Sequence, residues 1–287
     1  MISFGRVSTA MVTPFDSKGN IDFEKITQLV NHLINNGTDS LVVAGTTGES
    51  PTLTGEEKVA LFRHTVEAAA GRVPVIAGTG SNNTKQSIEL TKKAEEAGVD
   101  AIMLVAPYYN KPNQEGLYQH FKTIAESTSL PVMIYNIPGR ASVNIAPETT
   151  IKLSNIANIV AVKEASGNID AVTEIIAGTA DDFLVYSGDD GLTLPVLSVG
   201  GDGVVSVASH VVGNEMQQMV SAFLAGNYQE AAKIHQQLLP LIRGLFAAPS
   251  PVPVKTALQL KGMDMGSVRL PLVPLSETER ADLMKLL

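Results

Sequence analysis

The run at 158–167, NIVAVKEASG, sets a lysine inside an otherwise apolar segment. Such a run reads as a strand covered on both faces, where an unpaired ammonium is costly. Chemistry supplies a reason for the exception. Burial disfavours the charged form, so Lys163 would keep a useful fraction of neutral amine near neutral pH. A neutral amine adds to a ketone and gives a Schiff base, an electron sink that acidifies the neighbouring carbon. That reaction needs a proton shuttle, a role open to the phenol of Tyr135 in PVMIYNIP. It also needs hydroxyl or backbone donors for a substrate carboxylate, which the glycine-flanked Thr46 and Thr47 of GTTGES offer. The alternative is a strand-end lysine that pairs with Glu164 or extends to solvent, with Thr46 and Thr47 merely capping a turn.

The elements that must position these groups follow from the pattern of the chain. Short apolar or β-branched runs occur at 7–13, 40–45, 73–80, 101–107, 131–138, 158–166, 183–188 and 203–209. Segments of helical period lie between them, among them 23–36, 55–70, 84–97 and 116–127. Thr54 with Glu57 reads as a capping box, and Gly37, Gly71 and Gly98 are placed to end helices. Eight strands joined by helical crossovers imply parallel pairing, and the fold class is α/β, a (β/α)₈ TIM barrel, with an open doubly wound sheet as the competing architecture. The catalytic barrel is expected to span 1–213. Beyond it the strand signal ends, and 216–225, 228–243, 254–261 and 276–287 predict a C-terminal helical extension over 214–287 packed on the barrel.

In a barrel the chemistry sits at the carboxyl ends of the strands. The unusual residues gather there: GTTGES after the second strand, GTG (78–80) after the third, PYYN (107–110) after the fourth, YNIPGR (135–140) on the fifth, Lys163 on the sixth and SGDD (187–190) after the seventh. Strand period places Ile159, Ala161, Lys163 and Ala165 on one face, and Met133, Tyr135 and Ile137 on one face of the strand before. Small alanines on either side of Lys163 leave room for a long side chain pointing inward.

Composition narrows the classes. The 287 residues are 44% hydrophobic and 17% charged, with a formal net charge of −8. That balance argues against nucleic acid or an anionic membrane as a main partner. With no cysteine, disulfides and thiolate metal sites are excluded, and a cytoplasmic location is the expectation. MISFGRVSTAMVTPF lacks the charged start and apolar core of a signal peptide, and no apolar segment approaches the roughly 20 residues of a membrane span. Histidines 32, 64, 120, 210 and 235 form no metal-binding pattern, and Asp189 and Asp190 read as helix caps rather than metal ligands. GTGSNN lacks the last glycine of a dinucleotide fingerprint. No metal and no cofactor are expected.

GTTGES, PYYNKP (107–112), YNIPGR, VKEASG (162–167) and SGDD, in this order and spacing, resemble the dihydrodipicolinate synthase family, and the likeness runs from VSTAMVTPF into the helical tail. The resemblance implies a pyruvate-dependent aldolase barrel in which Lys163 forms a Schiff base with pyruvate. The derived enamine would attack L-aspartate 4-semialdehyde, on the diaminopimelate route to lysine. It also implies that Tyr135 exchanges protons beside the imine and that Thr46 links it to Tyr109 of a neighbouring subunit. Thr47 would hold the pyruvate carboxylate, Arg140 the semialdehyde carboxylate, and Gly188 and Val205 would line the pocket. The assembly implied is a homotetramer of tight dimers. From the residues alone, Tyr108 and Tyr109 also read as a packing pair and Arg140 as a solvated loop residue.

Two points qualify the likeness. Family members inhibited by lysine use an alanine, two histidines and a glutamate where this chain has Pro51, Gly55, Lys58 and Gln86, although Asn82 and Tyr108 remain. A cation in place of these groups should weaken binding of a cationic ligand, so weak or absent lysine feedback is expected. Related Schiff-base aldolases, such as N-acetylneuraminate lyase and 2-keto-3-deoxy sugar-acid aldolases, share the lysine and tyrosine; GTTGES together with Arg140 favours the synthase. A non-catalytic ligand-binding barrel is the reading from another class.

Overall fold

The structure, a computed structural model, describes residues 3–287; Met1 and Ile2, which open the segment read above for a leader, lie outside it. Eight strands, β1 (Val7–Ala10), β2 (Ser40–Val43), β3 (Val75–Gly78), β4 (Ala101–Val105), β5 (Val132–Asn136), β6 (Ile159–Glu164), β7 (Leu184–Ser187) and β8 (Gly203–Ser206), pair in sequence order. All pairs are parallel. β8 returns to β1 in the register Val7↔Val204 and Ser8↔Val205, so the sheet closes into the expected (β/α)₈ barrel and the open-sheet alternative falls away.

Local signals explain where the helices begin and end. Asp22, Asn83 and Asn113 each accept a hydrogen bond from the backbone three residues on, and Thr54 and Glu57 form the reciprocal capping box ahead of the helix Gly55–Ala69. Gly37 (φ 88°) and Gly98 (φ 83°) supply the left-handed turns after Phe23–Asn35 and Thr84–Glu96. The helices cover the outer face of the barrel, and a separate inner cluster, including Val42, Ile76, Met103, Met133, Tyr186 and Val205, fills its interior. With both faces buried, the strands read as continuous apolar runs.

One expectation about facing needs correction. Val132 pairs with Ile159 but Met133 pairs with Ala161, so β6 carries an extra residue at Val160. The bulge reverses the alternation below it: Ala161 joins the inner cluster while Ile159 packs outside, not on the Lys163 face. From Ala161 upward the alternation holds, and Tyr135 pairs directly with Lys163.

The C-terminal part comprises the helices Ser209–Leu224, Tyr228–Gly244, Val252–Leu260 and Glu277–Met284. The first is two helical pieces, a turn from Ser209 and a longer run to Leu224, separated at Val212, whose φ of −137° is not helical. The longer piece begins a little before the expected 216, and the boundary drawn at 213/214 falls one residue past the break. Val211 and Val212 are poor helix formers; tertiary contacts hold this turn. The Ser209 hydroxyl bonds Thr9 Oγ1 at 2.8 Å and His210 is fully buried.

His210 is more than an ordinary helix residue. Its Nδ1–H donates to the Val207 carbonyl at 2.8 Å, and Nε2 accepts from the Val12 N–H at 3.1 Å, so both ring nitrogens tie β8's exit to β1's. Burial pushes its pKa down to about 4, with the Val207 carbonyl bond acting the other way and His32 adding to the decrease. Buried His120 is likewise lowered to about 4 by burial. A folded pKa below the unfolded one gives stability that is full above the unfolded value, near 6.5, and is lost as pH falls toward 4. The His210 contribution to that loss is about 3 kcal/mol, at 1.36 kcal/mol per pKa unit. Denaturant titrations at pH 7.5, 6 and 5 should show unfolding free energy falling steadily, and less steeply for His210→Gln. Equal slopes for the two proteins would count against this account.

Candidate active site

The carboxyl ends of the strands carry the residues singled out from the sequence. Lys163 points into the barrel and is 5% exposed; its Nζ lies 4.2 Å from the centroid of the Tyr135 ring, which is itself buried. Glu164, one residue on, faces the other way. Its carboxylate accepts from Asn136 Nδ2 at 2.9 Å and from the Ser166 N–H at 2.7 Å. Lys163 therefore does not pair with Glu164, and burial closes the solvent-exposed alternative. Gly188 packs against the lysine stem: a Cβ there would sit 2.6 Å from Ala165 Cβ and 3.1 Å from Lys163 Cε. Glycine at this position lets the amine stand beside the end of β7.

The electrostatics suit an uncharged amine. Burial lowers the Lys163 pKa to about 8, with the Asp190 charge acting upward and the Arg140 charge downward. About a quarter of the amine is then neutral at pH 7.5, against roughly one part in a thousand for an ordinary lysine. Burial pushes the Tyr135 phenol up to about 12, with the Arg140 charge and the Thr46 hydroxyl acting the other way. The phenol thus stays protonated at neutral pH and can donate.

Thr46, Met103, Tyr135, Ile137 and Arg140 line a cleft of about 290 Å³ that also reaches Pro51, Lys58 and Tyr108. Ile137 and Arg140 are shared with a second cleft of about 430 Å³ lined by Ala165, Gly188 and Asp189. Arg140 belongs to the short helix Pro138–Ala141 and is exposed at the rim. Thr47 is buried in the turn beside Thr46, outside the cleft lining, and Val205 belongs to the inner cluster below. The fold thus gathers Thr46, Tyr135 and Arg140 around the first cleft and Arg140 and Gly188 around the second, while Lys163 lines neither and lies behind them, against the Tyr135 ring and beside Gly188. It does not bring Tyr109 there: this residue is 89% exposed, on backbone with a φ of 73°, and lines neither cleft.

Two groups exceed what sequence reasoning assigned them. Asp189 does cap the following turn, accepting from the Gly191 N–H at 2.8 Å. Asp190 turns inward instead. Its carboxylate accepts the Ser206 hydroxyl and the Val207 and Ala208 N–H groups at 2.9 and 3.2 Å, tying β7's exit to β8's. The second is Glu49, the acidic member of GTTGES, which is 3% exposed and ion-paired with Lys255 at 2.8 Å. No short-range pattern announced either role, because Ser206 lies 16 residues from Asp190 and Lys255 lies 206 from Glu49.

A desolvated amine facing a phenol at the carboxyl end of a parallel eight-stranded barrel defines the class of Schiff-base aldolase barrels. The chain belongs to the dihydrodipicolinate synthetase family, whose profile it matches over residues 3–287. It is 69% identical to the 4-hydroxy-tetrahydrodipicolinate synthase of Bacillus subtilis, over 98% of each chain. Among solved structures, a dihydrodipicolinate synthase from Bacillus anthracis matches with a TM-score of 0.99 at 67% identity, covering 100% of this chain and 98% of that one. The enzyme from Cyanidioschyzon merolae, solved with lysine bound, matches with a TM-score of 0.97 at 49% identity, over 99% of this chain and 97% of that one.

Proposed function

We propose that this protein is a lyase that condenses pyruvate with L-aspartate 4-semialdehyde to give 4-hydroxy-tetrahydrodipicolinate, on the diaminopimelate route to lysine. The observation that carries the reading is Lys163 itself, an amine buried in the barrel and set against Tyr135. Pyruvate's carboxylate rests on the turn of Thr46 and Thr47. The neutral Lys163 amine adds to the ketone carbon, Tyr135 protonates the departing oxygen, and water leaves to form the imine. Loss of a methyl proton gives the enamine, whose carbon attacks the aldehyde while Arg140 holds the semialdehyde carboxylate. The substrate's own amine then displaces Lys163 from the imine carbon, closing the ring and freeing the enzyme. No cofactor is required for these steps.

Exposed Tyr109 supports a homo-oligomer, a tetramer of tight dimers, in which each copy gives Tyr109 to its neighbour's Thr46 and Tyr135. A large aromatic side chain left in water by its own chain fits donation to a second copy. Among the described residues no helix is long and apolar enough to cross a membrane, and a cytoplasmic location fits the reading. Gly188 and Val205 shape the pocket floor.

Borohydride reduction in the presence of pyruvate, followed by mass spectrometry, should trap one adduct per chain on Lys163, and turnover should favour aspartate semialdehyde over sialic and keto-deoxy acids. Trapping elsewhere, or a preference for the sugar acids, would defeat the proposal. Feedback is expected to be weak: Lys58, half-buried at the cleft, has no carboxylate partner among the described residues and its charge opposes a cationic ligand. Half-inhibition by lysine should therefore lie above about 1 mM, equivalent to less than about 4 kcal/mol of binding. Sub-millimolar inhibition would contradict this.

A further inference from the structure

The turn that carries Thr46 and Thr47 is held at its far end by the C-terminal extension. Two non-glycine residues bound it in left-handed conformation, Ala44 (φ 51°) and Glu49 (φ 56°). Side chains rarely rest there without outside support. Within the turn, the N–H groups of Gly48 and Ser50 donate to the Gly45 carbonyl, that of Glu49 donates to Thr46, and the Thr13 hydroxyl donates to the Gly48 carbonyl at 2.7 Å. The outside support comes through the Glu49 carboxylate. Oε1 accepts from Lys255 Nζ at 2.8 Å and Oε2 accepts from the Arg269 N–H at 2.8 Å.

The partners are themselves fixed. Lys255 Nζ also donates to the Ser267 carbonyl at 2.8 Å, and its side chain is 4% exposed against 1% for Glu49. The Arg269 guanidinium donates to the carbonyls of Gly19 and Thr52 and pairs with Glu57, at the start of the helix after the turn. Lys255 and Arg269 both lie over the Phe15 ring, 4.3 and 4.4 Å from its centroid, beyond the end of β1. Apolar contacts could dock the extension at lower desolvation cost. What an ion pair with two directed acceptor oxygens adds is a fixed position and orientation for the turn.

We infer that Glu49, through Lys255 and Arg269, is a positioning residue for pyruvate capture: it sets the direction in which Thr46 and Thr47 face the substrate carboxylate. The C-terminal extension is thereby part of the substrate-binding apparatus. This inference rests on the reading that the turn receives that carboxylate. Glu49 does not touch substrate, and Arg140, on the short helix that follows β5, is independent of it, so the two substrates respond differently.

The test is steady-state kinetics and borohydride trapping on the full-length protein, with thermal unfolding measured alongside. Glu49→Ala should raise the KM for pyruvate by on the order of 10- to 100-fold and slow trapping at low pyruvate, since small misplacements of positioning groups carry costs of that size. The KM for aspartate semialdehyde should stay within about twofold, because Arg140 is untouched. The double variant Glu49→Gln with Lys255→Met leaves no unpaired buried charge and keeps an acceptor for the Arg269 N–H; it should fold and recover part of the pyruvate affinity. If Glu49→Ala does not fold, the double variant alone decides, with an intermediate pyruvate KM expected. Variants that fold with a lowered melting temperature and an unchanged pyruvate KM would overturn the inference and leave the network a structural tie. Thr47→Val separates the levels. A raised pyruvate KM in this variant, with none in the Glu49 variants, defeats only the positioning role; no change in any of them defeats the carboxylate site as well.

Discussion

Lys163→Met is expected to lower kcat/KM by roughly 10⁴-fold or more, about 5.4 kcal/mol of transition-state stabilisation at 1.36 kcal/mol per decade, while the protein folds at least as stably as before. The two halves of this expectation have one cause. The buried amine has a pKa of about 8 in place of 10.5, so holding its charge in the folded protein at pH 7 costs on the order of 3 kcal/mol. For a lysine with a depressed folded pKa this penalty is full below about pH 8 and fades as pH rises toward 10.5. Methionine fills the space of the stem without that penalty, but it cannot form an imine. A residual rate within tenfold of the parent would show that the covalent route is not used. In the parent, kcat/KM for pyruvate should rise about tenfold per pH unit up to near pH 8 and then level off, because only the neutral amine attacks.

Tyr135→Phe is the second large effect, a loss in kcat of on the order of 10³-fold. The ring is buried in the inner cluster beside Lys163, and phenylalanine retains that packing and the contact of the amine with the ring face. Only the hydroxyl is lost, and with it the proton donor for the departing oxygen. Trapping of pyruvate should slow along with turnover, since imine formation itself needs the proton. If trapping stays fast while turnover falls, the phenol acts only after the imine; if both are unchanged, it carries no proton and the relay is refuted. This contrasts with the Glu49 variants, whose effect should disappear at saturating pyruvate, because position and not proton transfer is what they disturb.

Much of this chain could be read from local order. Lys163 in its apolar run, Tyr135 one strand earlier and the glycine turn at 45–50 carry their chemistry in short windows, and capping signals such as Thr54 with Glu57 act over three residues. Parallel strands buried on both faces leave continuous apolar runs, so eight strands were countable, and eight strands with short crossovers have few ways to close. The bulge at Val160 was not legible, because one extra residue in a run of β-branched and small residues leaves the composition unchanged while reversing which side chains face inward. Nor was the helical turn at Ser209 ahead of the break at Val212, which the Thr9–Ser209 hydrogen bond and the buried His210 hold despite the poor helix propensity of Val211 and Val212.

Sequence alone determined the reactive groups, the strand count and the order in which they come, because each is written in residue type and short-range period. Tertiary structure decided which groups act together. Lys163 and Tyr135 meet through strand register, Asp190 reaches across to the exit of β8, and Glu49 finds Lys255 and Arg269 more than 200 residues away. Those pairings arise from barrel closure and the docking of the C-terminal helices, which bring distant segments within hydrogen-bonding range, where a distance of 2.8 Å and the exclusion of water set their strength.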